Sequence, residues 1–313
     1  MTPNPSPHAL RRGYVLGLLG VCVFALTLPM TRLATGTAEA PQLAGLYIAA
    51  GRAVVAAALS ALFLLAVRAR LPTRAQWSTL AWVALGVVFG FPFLTSIAMR
   101  HVEAVHASVI VGVLPLATAA VGALLQGQRP SVGFWLCALA GTTIVVGFAL
   151  LRSGGAGLAL HPADGLLLLA MLCAAVGYAH GARLAQEMPA THVICWALLL
   201  SLPITLPLSL WTWPQQAVSV AAWAGLAYTA VFSMWLGFFA WYQGLAIGGT
   251  VRVSQLQLLQ PFISMLFAVP LLGERLDALT LGCGLAVIAL VYAGRKMPVH
   301  ASSPTPIPQG KTS

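Results

Sequence analysis

Residues 250–296 read TVRVSQLQLLQPFISMLFAVPLLGERLDALTLGCGLAVIALVYAGRK, two long apolar runs joined by a short polar turn. The runs cover 250–272 and 278–296, and each is close to the ~20 residues that a helix needs to cross a bilayer. Gly, Glu, Arg and Asp fill the turn, as is typical where a chain leaves one helix for the next. This stretch therefore predicts two transmembrane helices.

The same pattern extends along the whole chain of 313 residues. Hydrophobic residues make up 59% of it and charged residues only 7%, whereas a soluble domain carries roughly a quarter charged residues. The apolar stretches lie at 13–34, 42–67, 76–99, 102–125, 132–151, 163–186, 191–211, 217–244, 250–272 and 278–296. The sequence therefore predicts an all-α integral membrane protein with ten transmembrane helices, whose surface is covered by the lipid bilayer.

Polar, proline-containing segments flank the apolar stretches and predict disordered cytoplasmic tails at 1–12 and 298–313. The first stretch is longer than the core of a signal peptide, so we interpret it as an uncleaved helix. Eleven Arg and Lys residues lie on the side that holds both termini and four on the other. Because basic residues favour the cytoplasmic side, both termini are predicted to be cytoplasmic. The net charge of +10 then reflects membrane topology and not nucleic-acid binding.

The two halves of the chain match each other at a shift of 146 residues, which places Pro115 on Pro261 and Cys137 on Cys283. Each half of the chain contains five apolar stretches. The first half covers 13–152 and the second covers 162–296. Because five is odd, the second half enters the membrane from the opposite face. The sequence thus predicts two inverted five-helix repeats, an arrangement typical of secondary transporters with a binding site near the midplane.

The best-matched segments, Ala98 to Gly147 and Gly244 to Gly294, resemble the EamA family of the drug/metabolite transporter (DMT) superfamily. The second segment has the family's Leu-Gly-Glu-Arg sequence at residues 272–275, whereas Gln128 replaces the glutamate in the first. Gly51-Arg52 resembles an Arg-Phe pair of the family, with Ala53 in place of Phe. The resemblance implies a ten-helix carrier of the bacterial inner membrane, with export of amino acids or related metabolites as its usual activity.

Pro115 and Pro261 are predicted to lie in the middle of helices. A proline inside a helix frees the carbonyl four residues earlier, which here belongs to Val111 and Gln257. Kinked helices at matching places in two halves are typical of transport sites, so we take Pro115 and Pro261 as structural or gating residues and Val111 as a substrate contact. The alternative is a kink that serves only packing.

The ninth stretch is polar around its proline. Ser254, Gln257, Pro261 and Ser264 follow helical spacing on one face, and Gln260 lies close to it. An amide both donates to a carboxylate and accepts from an ammonium group, so Gln257 is the best candidate substrate contact, together with Ser254 and Gln260. The alternative is hydrogen bonding between helices.

The eighth stretch carries an aromatic stripe, Trp235, Phe238, Phe239 and Tyr242, at helical spacing. Such a stripe can line a cavity and stack on a ring or a cation. We expect Trp235 and Phe239 to be the lining residues. The alternative is a stripe that faces lipid or its interface.

Other polar side chains lie within the apolar stretches. Arg52 either binds an anionic group or has a structural or gating role, because a charge inside the membrane must be hydrated or paired. His106 and His180 either move a proton or pack as neutral side chains; His106 is a candidate substrate contact and His180 a candidate gating residue. Tyr178 lies on a different face from His180 and is included among the substrate contacts.

No Asp or Glu lies in the middle of an apolar stretch. This argues against a carboxylate-based proton relay and against a cation-binding pocket built on a buried Glu. The five cysteines are an odd number without metal-ligand spacing, so no disulfide, metal or cofactor is expected. Enzyme motifs such as H-E-x-x-H and G-x-S-x-G are missing from the sequence, and no catalytic residue is assigned. The sequence therefore predicts a carrier of small molecules, with drug or organic-cation efflux as the main alternative. An intramembrane enzyme and a receptor are lesser alternatives. A homodimer is possible on the sequence alone.

Overall fold

The computed structural model describes residues 7–36, 40–98, 110–152, 162–272 and 277–301, and these are almost entirely helical. In chain order the helices are α1 (Pro7–Ala25), α2 (Thr27–Thr35), α3 (Gly45–Ala66), α4 (Arg74–Val83), α5 (Phe91–Ala98), α6 (Leu114–Leu125), α7 (Val132–Arg152), α8 (Ala163–Leu184), α9 (Ala190–Trp211), α10 (Val220–Tyr228), α11 (Gly237–Gly248), α12 (Thr250–Val253), α13 (Gln260–Leu272) and α14 (Ala278–Lys296). Irregular helical segments continue several of them, with π-helix at Ala84–Gly90 and Thr229–Leu236 and 3-10 helix at Ser254–Leu259.

Eight continuous helical spans among the described residues are long and apolar enough to cross a membrane. They are His8–Thr35, Gly45–Ala66, Arg74–Ala98, Val132–Leu151, Ala163–Leu184, Ala190–Trp211, Val220–Gly248 and Ala278–Lys296. The other two predicted stretches are not among these spans. The structure describes only 110–125 of the stretch at 102–125, including the 12-residue helix α6, and 250–272 is divided into α12, the 3-10 segment and α13.

Both repeated prolines lie where a new helical segment begins, which differs from the kink in the middle of a helix that the sequence predicted. Pro115 is the second residue of α6 and follows a turn at Gly112 and Val113. Pro261 is the second residue of α13 and follows the 3-10 segment. Proline is favoured in the first turn of a helix because the backbone N–H that it lacks would have no partner there.

Several element boundaries recur 146 residues apart, the same shift that aligns the two halves of the sequence. Helices α4 and α10 begin at Arg74 and Val220, and each is followed by a π-helical segment. Helices α6 and α13 begin at Leu114 and Gln260. Because π-helical and broken segments are rare and often occur at functional sites, the recurrence adds a structural match to the sequence match.

Disordered tails were predicted at 1–12 and 298–313, and the described part of each, 7–12 and 298–301, has ordered structure, whereas the rest lies outside the described residues. Helix α1 begins at Pro7, a residue type suited to the first helical position. Near the other terminus, strand β2 (Val299–Ala301) pairs antiparallel with β1 (Gln128–Pro130), in the turn between α6 and α7. The Ser131 backbone nitrogen also donates to the Pro298 carbonyl at 3.0 Å. These backbone hydrogen bonds hold residues 298–301 against the body of the protein.

Helix α1 packs along α11 over much of their lengths. Glycines allow the two backbones to meet: a β-carbon on Gly244 would lie 2.6 Å from the Gly17 nitrogen, and one on Gly13 would lie 2.5 Å from the Gly248 nitrogen. Small residues at such crossings increase van der Waals contact between helices in lipid. The largest buried cluster continues from here and includes Trp241 and Tyr242.

Candidate functional site

Three side chains that the sequence singled out separately come together between α3, α8 and the 3-10 segment. Arg52 lies on α3, Tyr178 on α8 and Gln257 in the 3-10 segment. The Tyr178 hydroxyl has a hydrogen-bonding interaction with the Gln257 side chain and an electrostatic interaction with the Arg52 guanidinium. We call these three residues the polar cluster.

The polar cluster has unused hydrogen-bonding capacity. Within the described part of the chain, Gln257 Oε1 and Arg52 Nε are buried and have no hydrogen-bond partner. A buried polar group without a partner costs ~1–3 kcal/mol, and a ligand is one explanation for retaining it. Protein atoms surround Arg52, yet its side chain is only half-buried. Part of the Arg52 side chain therefore reaches the surface of the protein, while Nε remains buried.

The breaks in the two proline-containing segments contact each other. Gln255 Nε2 donates to the Pro115 carbonyl at 3.2 Å, and the Ser254 hydroxyl donates to the Val251 carbonyl in its own helix at 3.1 Å. The sequence pointed to the carbonyls of Val111 and Gln257, whereas the bond between the segments uses the carbonyl of Pro115. This bond fixes the 3-10 segment next to the start of α6 and so helps to orient Gln257.

Aromatic rings form one wall beside α3 at Phe63, eleven residues along the helix from Arg52. The Trp235 and Phe239 centroids are 5.0 Å apart, and Phe63 of α3 contacts both at 6.0 and 5.5 Å. All three rings are half-buried, and Trp235 Nε1 donates to Cys195 Sγ at 3.3 Å. Trp235 and Phe239 thus lie together, as the sequence led us to expect, with a third ring from another helix.

The other half of the aromatic stripe belongs to the protein core. Phe238 and Tyr242 are buried and contact each other at 5.2 Å. Phe238 also lies 6.1 Å from Tyr178, and the Tyr242 hydroxyl donates to the Gly177 carbonyl at 3.3 Å. The lipid-facing alternative is therefore wrong for Phe238 and Tyr242, which instead hold Tyr178 in place.

The remaining candidates lie apart from the polar cluster or outside the described residues. His180 stacks on Trp82 with centroids 5.9 Å apart, and Trp82 is 51% exposed, so His180 faces the outside of the bundle. Val111 and Gln260 are half-buried beside the two helix breaks. His106, predicted as a substrate contact, lies outside the described residues.

A family model described as the EamA-like transporter family matches residues 11–151 and 161–294. The chain belongs to the EamA-like transporter family. This confirms the resemblance drawn from residues 98–147 and 244–294 and places the chain in the DMT superfamily. It is therefore a multi-pass membrane protein with the fold of a transporter.

Relatives of this family member include two proteins of Bacillus subtilis (strain 168). One, named uncharacterized transporter YdeK, is 42% identical over 286 residues, which cover 91% of this chain and 97% of the relative. The other, named uncharacterized transporter YyaM, is 21% identical over 229 residues, which cover 70% and 74%. A protein of known crystal structure is 18% identical with a TM-score of 0.71, and the match covers 90% of this chain and 94% of that protein. These relatives support a transporter, and the last shows the fold alone.

Several residues near the site of this EamA-family chain were not predicted from the sequence. Gln255 is one residue away from Ser254 and lies on a different face of the 3-10 segment from Ser254 and Gln257, so only its bond to Pro115 distinguishes it. Phe63 and Cys195 are single apolar residues in long apolar stretches. They differ from other apolar residues only because the packing of their helices brings them into contact with Trp235.

Proposed function

We propose that the chain is a secondary transporter that exports amino acids or related small metabolites by alternating access. In this proposal, ten helices form two inverted five-helix repeats, 13–152 and 162–296, in the bacterial inner membrane with both termini in the cytoplasm. The observation that carries the proposal is the polar cluster of Arg52, Tyr178 and Gln257, placed next to two broken helices.

The internal repeat supports the alternating-access part of the proposal. The family model matches the chain twice, once in each half, and the helix breaks at Pro115 and Pro261 occur at matching positions. Broken helices expose backbone groups, which membrane proteins tolerate only beside protein or a wet cavity. In transporters built from repeats, such breaks flank the substrate site.

The chemistry of the polar cluster favours a substrate that has both a carboxylate and an N–H group. A guanidinium binds a carboxylate through two parallel hydrogen bonds, and Arg52 has no carboxylate partner among the described residues. The unpartnered Gln257 Oε1 is an acceptor for an ammonium or amide donor. The half-buried rings of Phe63, Trp235 and Phe239 lie further along the bundle and offer an apolar surface there.

Counterflow in proteoliposomes tests this proposal. Vesicles with purified protein are loaded with an unlabelled metabolite mixture, and entry of labelled amino acids, other carboxylates and organic cations is measured. We expect exchange of at least one zwitterionic metabolite above the rate of protein-free vesicles. Absence of exchange for every carboxylate, with protein that is monodisperse and helical, would contradict the proposal.

Efflux of organic cations is the second candidate, and the aromatic wall is the observation that favours it. Trp, Tyr and Phe faces attract cations, so Trp235 and Phe239 would suit such a cargo. The positive charge of Arg52 opposes it, because like charges repel strongly away from bulk water. Faster exchange of tetraphenylphosphonium than of any carboxylate would favour this alternative.

Substitution Gln257→Ala is predicted to weaken substrate binding about fivefold to tenfold, the effect of one lost hydrogen bond of ~1–1.5 kcal/mol. The measurement is the rise in thermal unfolding temperature on addition of the substrate found by counterflow. Gln215→Ala is the control, because Gln215 is an exposed residue in the loop between α9 and α10. An unchanged ligand-induced shift in Gln257→Ala would remove Gln257 from the binding site.

A further inference from the structure

A second group of polar side chains lies at one end of the bundle, away from the polar cluster. The Arg295 guanidinium lies 5.4 Å from the centroid of the Tyr14 ring and 5.1 Å from that of Tyr292. Lys296 Nζ lies 4.6 Å from the Tyr292 centroid. The Tyr14 hydroxyl interacts electrostatically with both Arg252 and Arg295. We call Tyr14, Arg252, Arg295 and Lys296 the cationic cluster.

Two polar atoms of the cationic cluster have no hydrogen-bond partner in the described part of the chain. They are the Tyr14 hydroxyl and Arg252 Nε, and both are buried. Tyr14 as a whole is only 8% exposed. Arg252 does use Nη2, which donates to the Met297 carbonyl at 3.3 Å. Capping of the end of α14 therefore accounts for the position of Arg252 Nη2. It does not explain why Arg252 Nε and the Tyr14 hydroxyl are buried without a partner.

The positive charge of the cationic cluster has no acidic partner among the described residues. Asp277 caps the opposite end of α14, and the other described acids, Asp164 and Glu187, flank α8. The C-terminal dipole of α14 offsets part of the charge of Arg295 and Lys296. The preference of basic residues for one side of a membrane does not explain why an arginine packs beside the buried Tyr14 ring. A bound anion would neutralise the arginine charge and accept a hydrogen bond from the Tyr14 hydroxyl.

An apolar track leads away from the cationic cluster along α14. Tyr292, Ile288 and Leu285 are 53%, 51% and 67% exposed, and their spacing of three to four residues puts them on one face of the helix. This track begins at the ring that Arg295 and Lys296 both cover. A cationic group next to an apolar track suits an anionic lipid. Its acyl chain would pack along the track, and its headgroup would bind the basic side chains.

We propose that the cationic cluster binds the phosphate group of an anionic phospholipid headgroup, with an acyl chain along Leu285, Ile288 and Tyr292. Arg252 and Arg295 supply the planar donor groups that suit phosphate oxygens, and Lys296 adds a point charge. Tyr14 holds Arg295 by stacking, and its hydroxyl is a donor for which a phosphate oxygen is the acceptor. Basic pockets between transmembrane helices commonly bind acidic lipids in this way.

The test uses the full-length protein in detergent with dioleoyl phosphatidylglycerol or dioleoyl phosphatidylcholine, and bound lipid is counted by native mass spectrometry. We expect preferential retention of phosphatidylglycerol, and about fivefold weaker retention in Arg252→Gln and in Arg295→Gln, the effect of one basic residue near acidic lipid. Arg74→Gln is the control, because Arg74 is exposed and its loss changes the net charge equally. Arg295→Lys keeps the charge and is expected to keep most of the retention.

Three results would overturn the proposal. Equal retention of the two lipids would show that the phosphodiester's net charge is not recognised. Equal losses of phosphatidylglycerol retention in Arg74→Gln and Arg252→Gln would show that retention depends only on the net charge of the protein. Displacement of the lipid by millimolar inorganic phosphate would make the cluster a site for soluble anions. The readout does not depend on transport, so it stands apart from the proposed export function.

Discussion

Replacing Arg52 with glutamine is expected to lower transport of the carboxylate-bearing substrate by about tenfold to a hundredfold. A hydrogen bond to a charged group contributes ~1.5–3 kcal/mol, and each 1.4 kcal/mol is a factor of ten in affinity. Arg52 is half-buried within the bundle and has no carboxylate partner in the described part of the chain. Its charge is thus free to bind the substrate, and the loss should appear in counterflow at low substrate concentration.

Two further variants make the Arg52 experiment specific. Arg52→Lys keeps the charge but loses the planar pair of donors, so we expect intermediate transport. Arg70→Gln removes the same charge from an exposed turn after α3 and should transport normally. If Arg52→Gln folds and transports as well as Arg70→Gln, the carboxylate contact is wrong. Removal of an unpaired buried charge need not destabilise the fold, so loss of transport with an unchanged unfolding temperature would support a role in binding.

Replacing Gly244 with alanine is expected to destabilise the protein by ~1–3 kcal/mol, the usual cost of overpacking a tight contact. The added methyl group would lie 2.6 Å from the Gly17 nitrogen, 2.9 Å from the Gly17 Cα and 3.0 Å from the Gly13 carbonyl oxygen. All three are backbone atoms, which cannot rotate away as a side chain can. Helices α1 and α11 must therefore separate along their shared face.

Gly282→Ala is the matched control for the Gly244 variant. A β-carbon at Gly282 meets no atom of the described residues within 4 Å, and alanine favours a helix over glycine by up to ~1 kcal/mol. We expect an equal or higher thermal unfolding temperature for this variant and a lower one for Gly244→Ala. The same change at both positions would show that α1 and α11 do not pack through this glycine contact.

Much of the architecture followed from local composition. Each apolar stretch is long enough to span a bilayer or nearly so, and within a bilayer a helix satisfies its own backbone hydrogen bonds. The helices therefore lie close to the stretches predicted, for instance 45–66 for 42–67 and 132–152 for 132–151. The individual candidates Arg52, Tyr178 and Gln257 were also visible, because polar groups within apolar stretches are costly unless they have a role.

The contacts between helices could not be predicted in the same way. In water, an apolar stripe marks the buried face of a helix, but lipid is as apolar as leucine and leaves no such mark. The sequence favoured Trp235 and Phe239 as lining residues, but it did not show that Phe238 and Tyr242 lie in the core. Side chains on helices distant in sequence, such as Phe63, are assigned only by that packing.

The sequence by itself determined a helical membrane protein with an internal repeat and a transporter's family, because hydrophobic length and residue matches are local properties of the chain. Only the tertiary structure decided that Arg52, Tyr178 and Gln257 meet, that Gln255 bonds to Pro115 across the two broken helices, and that Tyr14 lies among Arg252 and Arg295. These contacts depend on how each helix is rotated about its axis. That rotation is set by close packing at glycines such as Gly17 and Gly244, not by the polarity of the sequence.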